Sequence, residues 1–511
     1  MKKIEKYHLF EVLITDVCNA EIVEYCAVFE KDGIKKEVPA YKRARDEYIV
    51  RFMPEDTGKW TYHIHLSGQS ADGEFECVEN TGNNHGPVLA DGYHFRYADG
   101  SRFIPIGTTC YAWIHQPGKL QEETVKTLKA APFNKIRMCI FPKSMPYNNN
   151  DPEHYPFRKN AGGEWDVQDL DFAFWDNLDQ QMAELAQIGV EADLILFHPY
   201  DRWGFAALCQ EDSLAYLEYC IARLSAYRNV WWSLANEYEL VYQKSTSDWN
   251  AYGEMLKKRD PYGHLISIHN IFTLYPKRDW MTHCSIQSSD INHIAIWQKE
   301  YGLPVLIDEC GYEGDIEYGW GNLSAFEMVH RFWWTVCRGG YCTHGETFHR
   351  EDEVLWWAKG GKLYGESGKR ISFLKELLYH LPGEGEAMIR PFGMNPNSDK
   401  EDAEAVKQNE HFQKLLDSLP EHKRDALISL TPTMISGDDY RLQYFGHTCP
   451  AFVGADLPRD GKYRVEVLDI WEMTRTLAVD GICGQARIGL PGKVGIAVLI
   501  TRMEGDSLKI T

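Results

Sequence analysis

The sequence lacks the features of membrane and exported proteins. No stretch approaches 18 consecutive apolar residues, the length at which a run indicates a membrane-spanning helix. The first residues, MKKIEKYHLFEVLI, include basic residues but no continuous apolar segment and no small-residue cleavage site. Because a secretory signal peptide needs both, we expect a cytoplasmic protein with no membrane partner.

Patterns of metal ligands, disulfides and phosphate-binding loops are also missing. The 13 cysteines are scattered without a CxxC pair or histidines at metal-ligand spacing, so we expect reduced thiols and no metal site. The glycine-rich fingerprint of a dinucleotide-binding domain is absent, and we expect no cofactor. Positive charge is scarce, since 54 Lys and Arg against 75 Asp and Glu give a net charge of −21. This charge disfavours nucleic acid as a partner but is compatible with neutral sugars.

Aromatic residues, in contrast, are abundant. They make up 13% of the 511 residues and include 16 Trp and 28 Tyr. Most belong in cores, but rings beside polar groups at strand ends can stack on sugar faces. The chain is too long for a single hydrophobic core. Its patterning predicts an N-terminal β-sandwich over 1–85, a catalytic barrel over 86–384, a helical connecting segment over 385–425 and a second β-sandwich over 426–511.

The barrel is predicted from short apolar runs that alternate with amphipathic stretches. Runs such as FIPIGTT, KIRMCIF, EADLILF and VWWSLA are uninterrupted, which is typical of parallel strands covered on both faces. An open doubly wound sheet would alternate in the same way. Eight such strands, nearly all followed by a helix, favour a closed barrel. We therefore predict an α/β fold, a (β/α)8 TIM barrel flanked by two β-sandwich domains.

Two glutamates come directly after apolar strands of this barrel. Glu237 follows the fourth strand (VWWSLA) and Glu309 the seventh (PVLID), and the active site of such a barrel lies at these carboxyl ends. Glycoside hydrolysis needs one carboxyl group to protonate the leaving oxygen and a second to attack the anomeric carbon or activate water. A lone glutamate after a strand is usually a surface or capping residue, but two at corresponding positions favour catalysis. Asp308 should point to the other side of its strand and be structural.

Other polar and aromatic residues stand at the same strand ends. Asn236 precedes Glu237 and can hydrogen-bond a sugar 2-hydroxyl. Arg137 lies within an apolar strand, where a buried arginine needs a partner, and Glu309 is the natural one. Histidines at three strand ends suggest a pocket for hydroxyl groups. The candidate substrate-binding residues are Arg137, His198, Asn236, His269, Gln287, Tyr111, Trp113, Tyr312, His344 and Trp356, with Trp357 as the alternative to Trp356 for a sugar-stacking platform.

These motifs resemble a known family. The NE after strand four and the E after strand seven are similar to clan A of the glycoside hydrolases. FIPIGTTCYAW, FNKIRMCIFPK, WWSLANEYE, PVLIDECGY and GGYCTHGETF resemble the apiosidase-like, DUF4038-type barrels. YIVRFMPEDTGKWTYHIH resembles the DUF5060 signature, and the C-terminal segment a DUF5605-type or collagen-binding-like sandwich. The resemblance implies Glu237 as acid/base and Glu309 as nucleophile, supported by Arg137, Asn236 and His269. Clan members often carry a tyrosine after strand six, where this chain has Gln287.

We therefore expect a retaining, exo-acting glycoside hydrolase that cleaves small oligosaccharides or glycosides by double displacement. A carbohydrate-binding barrel with impaired catalysis is the alternative, and a metal-dependent barrel hydrolase is a third class. Apiofuranosides, arabinofuranosides, xylosides and hexosides are all compatible with the pattern. We expect the two sandwiches to be structural or to form a homo-oligomer.

Overall fold

A closed parallel barrel forms the centre of the molecule. The computed structural model describes residues 1–388, 403–420 and 431–503. Each barrel strand pairs with its neighbour in the chain, the first pairs with the eighth, and a bridge between His269 and Ser285 joins the fifth to the sixth. The eight strands are Ile106–Thr109, Lys135–Cys139, Glu191–Phe197, Val230–Ala235, Leu265–Ser267, Cys284–Gln287, Val305–Glu309 and Tyr341–His344.

Helices cover the outside of the barrel. The helix after the second strand shows why: Asp171 caps its N-terminus by accepting from the Ala173 N–H, and its buried residues recur at three- and four-residue steps. The connection between the fifth and sixth strands, which the structure describes throughout, contains no helix. The barrel helices are Gly118–Ala130, Phe172–Gln187, Gln210–Leu224, Thr246–Arg259, Ile294–Tyr301, Ala325–Val336, Trp356–Lys359 and Ser367–His380.

The first predicted strand is split in two. The run FIPIGTT predicts one strand, but Pro105 has no N–H for a ladder and separates Phe103 from the barrel strand. Arg102–Phe103 instead joins Val88–Asp91 and His94–Tyr97 in a three-stranded sheet. The Phe95 ring of this sheet stacks on Trp231, near the start of the fourth barrel strand, at 5.3 Å between centroids. The small sheet therefore closes the end of the barrel opposite the two glutamates.

The N-terminal part is a seven-stranded sheet that curls around its own core. Phe10 and Phe75 come from strands near opposite ends of the sheet order, yet their rings stack at 4.2 Å. Arg51 of this sheet lies 3.0 Å from Asp179 of a barrel helix, and this buried ion pair ties the sheet to the barrel. Its strands are Lys2–Glu5, Phe10–Ile14, Val23–Lys31, Ile34–Ala44, Glu47–Phe52, Gly58–Leu66 and Gln69–Val78.

The C-terminal part has a six-stranded and a two-stranded sheet that face each other. Val465 and Val498 point into the core between the sheets, whereas Leu499 lies in the main core of the barrel domain. Period-two alternation thus gives one strand two buried faces. The strands are Glu386–Ala387, Thr433–Ser436, Tyr440–Tyr444, Tyr463–Asp469, Thr474–Ile482 and Ile496–Arg502 in the larger sheet, and Phe452–Leu457 and Gly484–Gly489 in the smaller one.

The predicted fold class, a TIM barrel flanked by two β domains, is confirmed. A helix over Ala403–Ser418 lies in the predicted connecting segment. Residues 389–402 and 421–425 of that segment, and residues 426–430 and 504–511 of the predicted second sandwich, lie outside the described residues. None of the helices that the structure describes is long and apolar enough to cross a membrane.

Candidate active site

A cavity opens at the carboxyl ends of the barrel strands. Its volume is about 770 Å³, within the range of small-molecule sites. Segments that follow all eight strands contribute to its wall. Two of the lining residues are the predicted catalytic glutamates. The wall includes Tyr111, Lys143, Tyr200, Glu237, Phe272, Gln287, Glu309, Tyr312, Trp320 and Trp357.

Glu237 leaves the fourth strand through an unusual backbone conformation. Its φ of 49° and ψ of 58° lie in the left-handed region, which costs a non-glycine residue about 1–2 kcal/mol. Such conformations persist at functional sites because the surrounding structure holds them. The Tyr200 hydroxyl donates to Glu237, and the Gln287 amide, oriented with its nitrogen towards Glu237, donates at 3.0 Å. Burial and the charge of Glu309 raise the pKa of Glu237 above its usual value.

Glu309 has a different environment at the end of the seventh strand. The Tyr111 hydroxyl donates to its carboxylate, and the Tyr312 hydroxyl lies 3.3 Å from that of Tyr111. Arg137 Nη1 lies 3.7 Å from Glu309 Oε1. His269 Nε2 is 3.9 Å from the same oxygen, and burial holds the pKa of His269 well below its usual range. The predicted Arg137 and Glu309 partners thus lie together, with an uncharged histidine beside them.

A buried charge network lies beneath Glu309. Arg137 is also 3.3 Å from Asp193, and Lys135 bridges Asp193 and Asp308 at 2.8 and 2.7 Å. Burial alone would raise the pKa of Asp308, but Lys135 and Arg137 outweigh it and hold that pKa well below its usual range. Asp308 is thus buried among strand residues of the barrel and does not line the cavity.

Some predicted site residues lie beneath the cavity wall. His198 Nε2 is 3.2 Å from the Phe141 carbonyl oxygen, and the Trp113 indole donates to the Met138 sulfur at 3.1 Å. Asn236 is 1% exposed, and neither atom of its amide has a hydrogen-bond partner in the part of the chain that the structure describes. Buried amides without partners are rare in native structures and call for an explanation.

Two further candidates are held at the first and eighth strands. His344 Nδ1 is 3.2 Å from the Thr108 hydroxyl, and its ring stacks on Phe133 at 4.5 Å. The Trp356 indole donates to Thr108 at 2.8 Å. Of the two adjacent tryptophans, Trp357 is therefore the one on the cavity wall. Tyr111, Gln287 and Tyr312 are the other predicted binding residues that line the cavity.

Several lining residues were not predicted from the sequence. Lys143 follows the second strand and Tyr200 the third, each directly after a proline (FPK and HPY), which is the signal that could have found them. Tyr318 and Trp320 follow the seventh strand and stack at 5.5 Å with only 5° between their planes. The ring centroids of Trp320 and Trp357 are 4.8 Å apart. These rings form one aromatic wall near Glu309.

Among the described residues, two groups of side chains elsewhere have atoms close enough to share a metal ion. In the first, Glu313, His344 and Glu346 are buried, but both carboxylates accept hydrogen bonds from backbone N–H groups of residues 364–367. The second comprises Glu327, His330 and His447, and Glu327 also pairs with Arg331 at 2.7 Å. The carboxylates of both groups therefore already have protein partners. Neither group belongs to the cavity wall.

Comparison with known proteins agrees with this architecture. The family described as "Apiosidase-like, catalytic domain" matches residues 90–421, and the domains of unknown function DUF5060 and DUF5605 match residues 3–67 and 430–501. No curated protein matches the chain.

Solved structures give the same result. A Bacteroides vulgatus protein described as a "putative glycoside hydrolase" is 33% identical, with a TM-score of 0.85 over 98% of this chain and 100% of its own. A family 5 glycoside hydrolase from the same species is 13% identical, with a TM-score of 0.58 over 82% of this chain and 94% of its own, and shares the fold. The chain belongs to the apiosidase-like glycoside hydrolases, with a DUF5060 domain before the barrel and a DUF5605 domain after it.

Proposed function

We propose that the protein is a retaining, exo-acting glycosidase that cleaves small glycosides or oligosaccharides by double displacement. Glu309 is the nucleophile and Glu237 the general acid/base. The observation that carries this proposal is the different environment of two glutamates on one cavity wall. Glu237 is buried, with a raised pKa, and suits a proton donor, whereas Glu309 has Arg137 beside its carboxylate.

The two steps follow from these positions. The Glu309 oxygen bonds to the anomeric carbon as the glycosidic C–O bond breaks, and the leaving oxygen takes the Glu237 proton. Water then attacks the anomeric carbon and gives a proton to Glu237, while the ester electrons return to Glu309. In this proposal Asn236 binds the 2-hydroxyl as charge develops, which its position next to Glu237 and its buried amide without a described partner support.

The shape of the cavity supports exo action on small substrates. Residues after all eight strands contribute to its wall, and its volume of about 770 Å³ is that of a small-molecule site. The aromatic wall of Tyr318, Trp320 and Trp357 offers faces for sugar stacking. We place the enzyme in the cytoplasm, with a carbohydrate as its partner and with β domains that are structural or form a homo-oligomer.

Covalent labelling tests the mechanism. A panel of nitrophenyl glycosides first identifies the sugar, and its 2-deoxy-2-fluoro derivative with a good leaving group then traps the intermediate. Mass spectrometry should find the label on the peptide that contains Glu309. Glu309→Gln should take no label, whereas Glu237→Gln should still be labelled by the activated substrate and regain turnover with azide.

Three outcomes would point elsewhere. Inversion of the anomeric configuration in early NMR spectra would exclude the double displacement. Sugar binding without hydrolysis or labelling, unchanged in both glutamine variants, would favour a carbohydrate-binding barrel. Loss of activity with a chelator would indicate a metal-dependent hydrolase.

A further inference from the structure

Lys143 is a buried cation on the cavity wall. It follows the second barrel strand and is 3% exposed. Its Nζ lies 3.4 Å from the ring centroid of Tyr111 and 4.5 Å from that of Tyr200. It forms no ion pair with a carboxylate in the part of the chain that the structure describes, and both rings lie within cation–π distance of its ammonium group.

The same two tyrosines hold the two catalytic glutamates. The Tyr111 hydroxyl donates to Glu309 and the Tyr200 hydroxyl to Glu237. The ammonium group therefore lies between the two phenol–carboxylate pairs and acts on both carboxylates at once. Its charge favours the deprotonated form of Glu237, while burial lowers the pKa of Lys143 itself.

Other polar and charged side chains surround Lys143 and Glu237, and they belong to strands two, three, five, six and seven or directly follow them. Each of them interacts with Glu237 or with Lys143. Their charges must therefore be known before a change in the pH dependence of activity is assigned to Lys143. The neutral histidines and the thiol carry no charge at pH 7, which leaves the arginine and Glu309 as the other fixed charges. These groups are Arg137, Cys139, His198, His269, Gln287 and Glu309.

We propose that Lys143 is the positioning residue that lets Glu237 change from acid to base between the two steps. This inference rests on the double displacement proposed above. Before the first step, the negative charge of Glu309 keeps the proton on Glu237. Once Glu309 is an uncharged ester, that effect is gone while the Lys143 charge remains, so Glu237 stays deprotonated and can accept the proton of the attacking water.

The test uses the full-length protein with Lys143→Met and the charge-retaining control Lys143→Arg. In Lys143→Met, the alkaline limb of kcat/KM, which reports Glu237 in the free enzyme, should move up by about one pH unit, the usual size for loss of a nearby opposite charge. With a substrate that has a good leaving group, kcat should fall roughly 10- to 100-fold, the range of a single acid/base contribution. A burst of released nitrophenol should remain, because the second step becomes slower than the first. Lys143→Arg should restore the limb and most of kcat.

Several results would overturn the assignment. An unmoved alkaline limb with parallel loss of kcat and kcat/KM would mean that Lys143 only shapes the wall. A rise in KM confined to glycosides with an anionic substituent would make it a substrate-binding cation instead. If Lys143→Met does not fold, Lys143→Gln is measured in the same way. Fluorosugar labelling of the wild type separates the two proposals, since a trapped intermediate with an unmoved limb refutes only the role of Lys143.

Discussion

Glu239 orders residues 271–273, the loop after the fifth strand at the cavity rim. Loss of its carboxylate should make this loop open more easily and leave the rest of the barrel unchanged. Its carboxylate accepts hydrogen bonds from three consecutive backbone N–H groups, those of Ile271 (2.8 Å), Phe272 (3.0 Å) and Thr273 (2.6 Å). The Phe272 ring is 83% exposed at the cavity mouth. An apolar ring this exposed gains little from packing, so the order of the loop depends on polar contacts. These are the three hydrogen bonds to Glu239 and the one that the Tyr238 hydroxyl donates to the Thr273 carbonyl oxygen at 3.1 Å.

The Glu239→Gln variant keeps the size of the side chain but loses its charge and one acceptor oxygen. Oε2 accepts from Ile271 and Oε1 from the other two, so at least one N–H loses its partner. A hydrogen bond to a charged group contributes about 1.5–3 kcal/mol and a neutral one about 0.5–1.5 kcal/mol. Because Glu239 is partly exposed, we expect loop opening to become easier by only about 1–3 kcal/mol, roughly 5- to 150-fold in the opening equilibrium.

Hydrogen exchange followed by mass spectrometry measures this change directly. Peptides that cover residues 271–273 should exchange faster by that factor in Glu239→Gln, while peptides from the barrel strands stay unchanged. Glu254→Gln, on an exposed position of the neighbouring helix, is the matched control. Unchanged exchange at residues 271–273, or faster exchange throughout the barrel, would refute this account of the loop.

Three further predictions concern the buried polar groups. Because the pKa of Glu237 is raised in the folded protein, its deprotonation lowers folding stability as pH rises above the ordinary glutamate value. Glu237→Gln should therefore raise Tm by a few degrees at pH 7 and not at pH 4, and an equal gain at both pH values would contradict this. Asn236→Ala should leave Tm within about 1 °C, since no described protein group bonds the amide, but lower kcat/KM roughly 10- to 100-fold; a large fall in Tm would show a structural role. Lys135→Met leaves Asp193 and Asp308 without their closest cation and should cost about 3–5 kcal/mol in urea unfolding, so a neutral result would argue against the network.

The barrel could be predicted because its strands are buried on both faces. An uninterrupted apolar run such as VWWSLA has few alternatives, and the observed strand Val230–Ala235 matches it. The strand Ile34–Ala44 was missed because its sequence, IKKEVPAYKRA, is largely charged and only its middle is buried. The hairpin of Phe157–Lys159 and Trp165–Leu170 was missed for the same reason. Strands that are fixed by pairing and not by burial leave a weak pattern.

The site could be predicted best at the strand ends and at aromatic residues of the segments that follow them. Glu237 and Glu309 stand directly at strand ends, so the fold places them on the cavity. Lys143 and Tyr200 come later, on loops whose paths depend on tertiary contacts, and nothing local shows that both reach the same two carboxylates. The choice between Trp356 and Trp357 depends on the short helix over Trp356–Lys359, which turns the first ring into the core and the second to the cavity.

Three features that are unfavourable for folding lie at or next to the two glutamates of the proposed reaction. Glu237 has a left-handed backbone, the Asn236 amide is buried without described partners, and the Arg137 guanidinium is buried with its nearest carboxylate oxygens at 3.3 and 3.7 Å. Each feature is unfavourable for folding alone, and each would be expected to disappear from a barrel selected only for stability. Each also serves the proposed reaction, as an aimed proton donor, an available hydrogen-bonding group and a charge beside the nucleophile. The coincidence of these three features around the two glutamates therefore favours a working catalyst over a barrel that only binds carbohydrate.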